Sequence, residues 1–243
     1  MKTLEELNLK NKVIIFDLDG TLIDSIGIWN WVDQKLVYDY SGIELDLNYV
    51  QTDRNHFLNN NPSSDIYIAY CEYLINKYNL RIKDPNELSD LRRDIANEVL
   101  TEKICFKPDV TTLIKTLKKM EYKLVLATVT TEKQLEIYYS KNKHMMNEMN
   151  IKDTFDYIVT KEKVSKKKPD PEVYYIIMNH FGVNPEDCLV FEDSLTGVIA
   201  AKNADIEVVN IYDAHAEIDR EAIDSITDYK ISNYKEFIDN CIK

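Results

Sequence analysis

Glycine is scarce in this sequence: five in 243 residues, about 2% where ~7% is usual. The five retained, Gly20, Gly27, Gly42, Gly182 and Gly197, are therefore expected to answer demands of the backbone. Long apolar runs are also missing. The longest, Ile66 to Cys71 and Val173 to Met178, reach six residues, far short of the ~20 that span a bilayer. The amino terminus, Met1-Lys2-Thr3-Leu4-Glu5-Glu6, lacks the apolar segment of a signal peptide, so a cytoplasmic protein is expected. The four cysteines (Cys71, Cys105, Cys188, Cys241) lie far apart with no CxxC pair, which argues for free thiols and against zinc or a redox dithiol. The four histidines (His56, His144, His180, His215) show no metal-ligand or triad spacing. Positive charge is in short supply as well. Thirty Lys and Arg face 42 Asp and Glu, giving a net charge of −12 and a pI near 4.9, which disfavours nucleic acid or an anionic membrane as partner. What remains for chemistry is carboxylates, lysine and hydroxyls.

Apolar residues make up 44% and charged residues 30%, as in a folded globular chain. Five short apolar runs rich in β-branched residues read as strands: Val13 to Phe16, Leu124 to Ala127, Tyr157 to Val159, Cys188 to Phe191 and Val208 to Ile211. Their apolar character is continuous rather than alternating, which predicts parallel strands covered on both faces. Helical patterns separate the last four. Leu113, Ile114, Leu117 and Met120 form one stripe, and Pro171 to Phe181 reads as a helix ended by Gly182. The alternation predicts an α/β fold with a doubly wound, Rossmann-like parallel sheet.

The stretch between the first two strands offers helices only: Trp29 to Tyr40, Ile66 to Tyr78 and Asn86 to Leu100, with Gly42 and Pro85 as breaks. It is too long for an ordinary crossover. We expect an inserted α-helical domain over residues 27–104, the α/β core comprising 1–26 and 105–243, with hinges at Ser25-Ile26-Gly27 and Cys105-Phe106-Lys107-Pro108.

Ligands of doubly wound sheets bind beyond the carboxyl ends of the strands. There the sequence places Asp17-Leu18-Asp19-Gly20-Thr21 after the first strand and Thr128 after the second. Lys168-Pro169-Asp170-Pro171 closes the lysine-rich loop after the third, and Glu192-Asp193-Ser194 follows the fourth. Clustered carboxylates repel and call for a cation, and oxygen-only ligands select Mg²⁺ over zinc. A hard dication, a lysine and a hydroxyl together suit the oxygens of a phosphoryl group in transfer.

These motifs resemble those of the haloacid dehalogenase-like superfamily, in its group of phosphatases and β-phosphoglucomutases with a helical cap inserted after the first motif. The carriers are DLDGTLIDS from Asp17, Thr128 ending LVLAT, Lys168 in KPDP, and FEDSLTGVIAAKNA from Phe191 to Ala204. The resemblance implies that Asp17 is the nucleophile forming an aspartyl phosphate, and that Asp19 is the general acid and base whose carbonyl also ligates the metal. It implies that Thr128 donates to a phosphate oxygen, that Lys168 offsets charge, and that Asp193 ligates Mg²⁺ with Glu192 auxiliary. Gly20 would let the backbone approach the phosphate, and Asp24 and Ser25 would shape the loop. The chain departs from the pattern at Pro108-Asp109 and Ala204-Asp205, where relatives tend to carry glycine after the proline and after the alanine.

The cap of such enzymes closes over the site and selects the substrate; Trp29, Trp31, Asp53, Arg54, His56 and Asn59 are the candidates here, with Arg54 a binder of an anionic substrate tail. The expected activity is Mg²⁺-dependent hydrolysis of a small phosphorylated metabolite by a monomer. A mutase of the β-phosphoglucomutase kind shares all the motifs. However, Ile26-Gly27-Ile28-Trp29-Asn30-Trp31 lacks the histidine and basic cluster that the sugar mutases carry there, which favours water as acceptor. A dehalogenase would need neither Asp19 nor Asp193, and an ion pump would need membrane helices. A non-catalytic phosphometabolite-binding protein should have lost at least one of Asp17, Asp19, Lys168 or Asp193.

Overall fold

A computed structural model describes residues 2–7 and 13–242, apart from the side chain of Asn59, which lies outside the described residues. The chain divides into two compact units, one of Met1–Ser25 with Lys103–Lys243 and one of Ile26–Glu102.

The first unit is built on a six-stranded, wholly parallel sheet in the order β3-β2-β1-β4-β5-β6. The strands are β1 (Val13–Phe16), β2 (Lys123–Ala127), β3 (Tyr157–Val159), β4 (Cys188–Glu192), β5 (Glu207–Ile211) and β6 (Tyr229–Ile231). All residues of β1 and β4 are buried, as continuous apolar runs covered on two faces require. The covering helices include α5 (Val110–Lys119), α6 (Glu132–Ser140), α9 (Glu172–Phe181), α10 (Leu195–Asn203), α11 (Arg220–Ile226) and α12 (Tyr234–Cys241), with the short α7 (Lys143–Glu148) and α8 (Ile151–Thr154) before β3. In α5 the stripe buries Val110, Leu113, Ile114 and Leu117; Met120, expected to extend it, falls at the C-cap and is exposed. Pro171, expected as the first helical residue of α9, is its N-cap.

Both departures from the glycine pattern are visible in the backbone. Asp109 and Asp205 stand at φ 64° and 58°, in the left-handed region that glycine occupies without cost. The chain avoids glycine and accepts the strain.

The second unit is four helices: α1 (Ile28–Ser41), α2 (Leu47–Asn60), α3 (Ile66–Tyr78) and α4 (Pro85–Glu102). Gly42 ends α1 with φ 77°, as a break there demands. Pro85, read from sequence as marking the break before the last of these helices, is the first residue of α4, where a missing N–H costs nothing. Their interior holds Val32, Leu36, Tyr70, Cys71, Leu74 and Leu88, together with one charged cluster around Asp33, which is 1% exposed. No described helix is long and apolar enough to cross a membrane.

Candidate active site

The chain runs from β1 through β2 to β3 on one side and through β4 and β5 to β6 on the other, so the strand order reverses between β1 and β4. Phe16 and Phe191 are register partners there, and their rings stack 4.7 Å apart beneath the strand ends. One residue further, the Asp17 amide donates to the Phe191 carbonyl at 3.0 Å, which sets Asp17 beside Glu192 and Asp193. Parallel register therefore brings together carboxylates that are 175 residues apart or more in sequence (17 to 192).

Lys168 is the cation among them. Its Nζ donates to Asp17 Oδ1 at 2.7 Å, to Glu192 Oε1 at 2.6 Å and to the Ala127 carbonyl at 3.1 Å. Burial works to lower its pKa, but the Asp17 and Glu192 carboxylates hold it well above the usual lysine range. Burial pushes the Asp17 carboxyl up to about 7 against the pull of Lys168. Burial together with the charges of Glu192 and Asp17 also pushes Asp193 well above the usual carboxylate range. Three buried carboxylates against one ammonium leave negative charge in excess.

The three acids divide the work. Glu192 spends Oε2 on the amides of Asp193 and Ser194, at 3.0 and 3.1 Å, and on the Ser194 hydroxyl at 3.1 Å. Asp193 takes the Thr21 hydroxyl on Oδ1 at 2.7 Å, while its buried Oδ2 has no partner among the described residues. A buried carboxylate oxygen left orphaned beside two other carboxylates fits a hard divalent cation. Asp17, Glu192 and Asp193 offer ligand atoms within 4.8 Å of one another. Both oxygens of Glu192 already accept hydrogen bonds, whereas Asp193 Oδ2 accepts none among the described residues.

Gly197, in the first turns of α10, explains the closeness of this packing. A Cβ there would lie 1.8 Å from Glu192 Oε1. The need for glycine at this position comes from a carboxylate, not from backbone torsion.

Asp19, two residues beyond Asp17, accepts hydroxyl hydrogen bonds from Ser25 on Oδ1 and from Thr130 on Oδ2. The loop holding it is closed by the Gly20 amide on the Ile23 carbonyl at 2.9 Å, with Gly20 at φ 84°. Thr128 is 3% exposed; its amide donates to the Val159 carbonyl and its hydroxyl oxygen accepts the Thr130 amide at 3.0 Å, which leaves the hydroxyl proton to donate elsewhere. Sequence reasoning missed Thr130 and gave Ser25 only a loop-shaping role. Hydroxyl residues in loops are too common to stand out.

Asp24, Asp213 and His215 form another group close enough to share an ion. Asp213 is already satisfied by Lys107 at 2.7 Å and by the His215 amide at 2.8 Å. Arg54 lies in the helical unit, 3.6 Å from Asp33. Asp53 is held there by Lys77 and by the Tyr73 hydroxyl, and His56 is exposed.

Comparisons with known proteins agree with this fold. Residues 14–211 match the family model described as haloacid dehalogenase-like hydrolase. A phosphorylated carbohydrates phosphatase of Thermotoga maritima is 28% identical over 200 residues, covering 81% of this chain and 82% of that protein. A fructose-1-phosphate phosphatase of Escherichia coli is 24% identical over 198 residues, covering 82% and 95%. A crystal structure from Thermotoga maritima, provisionally described as a β-phosphoglucomutase, superposes with a TM-score of 0.72 at 25% identity over 94% of this chain and 97% of that one. Fold, strand-end carboxylates and family match converge: this chain belongs to the haloacid dehalogenase-like hydrolases.

Proposed function

We propose that this phosphoric monoester hydrolase cleaves a small phosphorylated metabolite, of the sugar phosphate class, through a phosphorylated Asp17 and with water as final acceptor. The observation that carries the reading is Lys168 bound to Asp17 at 2.7 Å beside the orphaned Oδ2 of Asp193. The names of the Thermotoga maritima and Escherichia coli relatives support the sugar phosphate class.

Mg²⁺ is the proposed cofactor, held by the carboxylates of Asp17 and Asp193 and by the Asp19 carbonyl. When bound, it would offset the negative charge that otherwise repels an anionic ester from the carboxylates. Asp17 Oδ1 is held by Lys168, which leaves Oδ2 to attack phosphorus. As that P–O bond forms, the ester P–O bond breaks, and a protonated Asp19 gives its proton to the leaving oxygen. The hydroxyls of Ser25 and Thr130 orient the Asp19 carboxyl and can turn to serve either of its protonation states. Thr128 and Lys168 bind phosphoryl oxygens. Asp19 then accepts a proton from water, whose oxygen attacks phosphorus as the P–O bond to Asp17 breaks, and phosphate leaves. The intermediate calls for a nucleophile that is ionised at neutral pH, which Lys168 promotes and burial opposes.

The test is turnover of p-nitrophenyl phosphate and a panel of sugar phosphates, with and without chelator, by the parent and by Asp17→Asn. Expected are Mg²⁺-dependent release of phosphate and loss of turnover in the variant. Metal-independent activity, or an active Asp17→Asn, overturns the reading. β-Glucose 1-phosphate with a trace of the 1,6-bisphosphate, followed by phosphorus NMR, should yield inorganic phosphate. Faster formation of glucose 6-phosphate would instead make the protein a mutase.

A further inference from the structure

One buried amide group lies against the candidate site without entering the hydrolytic reading. Asn210 of β5 is fully buried and is the register partner of Glu192 at the end of β4. Its Nδ2 donates to the Glu192 carbonyl at 2.9 Å and to the Asp193 carbonyl at 3.3 Å. These carbonyls belong to the two peptide planes that flank the Asp193 Cα. The soft backbone rotations of Asp193, φ and ψ, turn those planes, so one side chain restrains both.

The amide is itself held. Its Oδ1 accepts Nη1 of Arg220, the first residue of α11, at 2.9 Å. Arg220 Nη2 donates to the Asp213 carbonyl at 3.2 Å, and the guanidinium lies 4.8 Å from the Tyr212 ring centre. A guanidinium can only donate and a carbonyl can only accept. The asparagine oxygen must therefore face Arg220 and its nitrogen the two carbonyls; the reverse orientation would lose all three bonds. Asp193 is also held at its amide by Glu192 Oε2 and at its Oδ1 by the Thr21 hydroxyl. With the backbone and one oxygen fixed, the direction of the unpartnered Oδ2 is fixed as well.

We infer that Asn210, oriented by Arg220, is a positioning residue that aims Asp193 Oδ2 at the divalent cation. The inference rests on the proposed metal site. Both polar atoms of Asn210 are committed to the bonds described, so it acts through Asp193 and does not itself ligate the metal. A ligand held in place before the ion arrives binds it more tightly than one that must be ordered on binding.

The test is Mn²⁺ binding to the full-length, chelator-stripped protein, read as loss of the free-ion electron paramagnetic resonance signal. Mn²⁺ takes the same oxygen ligands as Mg²⁺, and no turnover is needed. Asn210→Leu, with the same branching and no donors, should weaken Mn²⁺ binding by about 10–100-fold. The Mg²⁺ concentration for half-maximal phosphate release should rise by a like factor, while KM for p-nitrophenyl phosphate at saturating Mg²⁺ holds. A merely structural role would lower the urea midpoint in chelator without moving the metal affinity. Arg220→Met should weaken Mn²⁺ binding by a smaller factor, and Arg220→Lys, which can still donate to Oδ1, should restore most of it. Because Arg220 acts through Asn210, the double variant Asn210→Leu/Arg220→Met should bind Mn²⁺ no more weakly than Asn210→Leu. If Asn210→Leu does not fold, the comparison of Arg220→Met with Arg220→Lys decides. A parent and folded variants that bind Mn²⁺ equally well overturn the inference and leave the metal site standing. A parent that binds no Mn²⁺ removes the metal site and the inference with it. Losses that multiply in the double variant overturn the relay from Arg220 through Asn210.

Discussion

Replacing Gly197 by alanine separates two physical effects by their sign. In a helix interior, glycine to alanine normally stabilises by about 0.5–1 kcal/mol, because alanine loses less backbone freedom on folding. Here the new Cβ would lie 1.8 Å from Glu192 Oε1, 1.9 Å from Cδ and 2.3 Å from Oε2. Carbon contacts are comfortable only near ~3.5 Å, so the carboxylate must retreat by more than about 1 Å. It has nowhere easy to go. Glu192 is 1% exposed and tied to Lys168, to two backbone amides and to the Ser194 hydroxyl. Breaking a buried charge pair costs about 3–5 kcal/mol, which exceeds the propensity gain several-fold. The expected result is a lower urea midpoint and a lower kcat, because Lys168 loses one of the two carboxylates that hold it against Asp17. Gly182→Ala is the control: its φ of +65° is strained for alanine, but nothing lies within 4 Å of the added carbon. It should cost about 1–2 kcal/mol and leave turnover alone. A Gly197→Ala protein as stable and as active as the parent would refute the packing argument.

Further expectations follow from the same geometry. Ser25→Ala and Thr130→Val each remove one hydroxyl from Asp19 and should lower kcat by roughly tenfold with little change in KM; an unchanged kcat would show that Asp19 needs no such orientation. Asp205→Gly relieves a left-handed aspartate and should raise the urea midpoint by the equivalent of about 1 kcal/mol, checked in the same denaturation assay. The Asp17 carboxyl is raised by burial from an unfolded value of ~3.9 to about 7, so its contribution to stability is full below pH ~4 and is lost as pH rises towards 7 and beyond. Chelated protein should therefore unfold at lower urea at pH 8 than at pH 5.5. The difference should shrink in Asp17→Asn, and Mg²⁺ should restore stability at the higher pH. Stability that rises between those pH values in chelator would contradict the charge balance of the site.

Much of this could be read from the chain because parallel strands announce themselves. Val13 to Phe16 and Cys188 to Phe191 are continuous apolar runs, and the residues following such runs must fall at the ligand-binding edge of the sheet. β6 escaped notice because Tyr229–Ile231 is three residues long with a half-buried lysine at its centre. The equally short β3, Tyr157–Val159, is apolar throughout and could be read, whereas the lysine breaks the run in β6. Helix α2 carries a polar sequence through much of its length, and α7 and α8 are too brief for a stripe. The hydrogen-bond partners of Glu192 were illegible for a different reason. Sequence identifies an acid but not the partners its oxygens have already taken, and only the absence of a side chain at Gly197 marked the place where that acid packs. Arg92 gave no sign at all, since its partner Asp33 lies 59 residues away on another helix.

That partnership has a consequence for how the helical unit finds its structure. Asp33, Arg54, Tyr70 and Arg92 come from α1, α2, α3 and α4 in turn, one polar residue from each helix meeting at a single buried node. Apolar side chains tolerate a helix that slides, since one leucine can replace another at a similar depth. A charge cannot be exchanged so freely. A helix displaced by one turn, about 5.4 Å, would carry its member away from the other three and strand an ion among hydrocarbon. The node therefore works as a registration mark. It penalises compact arrangements that bury equal apolar area with the helices one turn out of step.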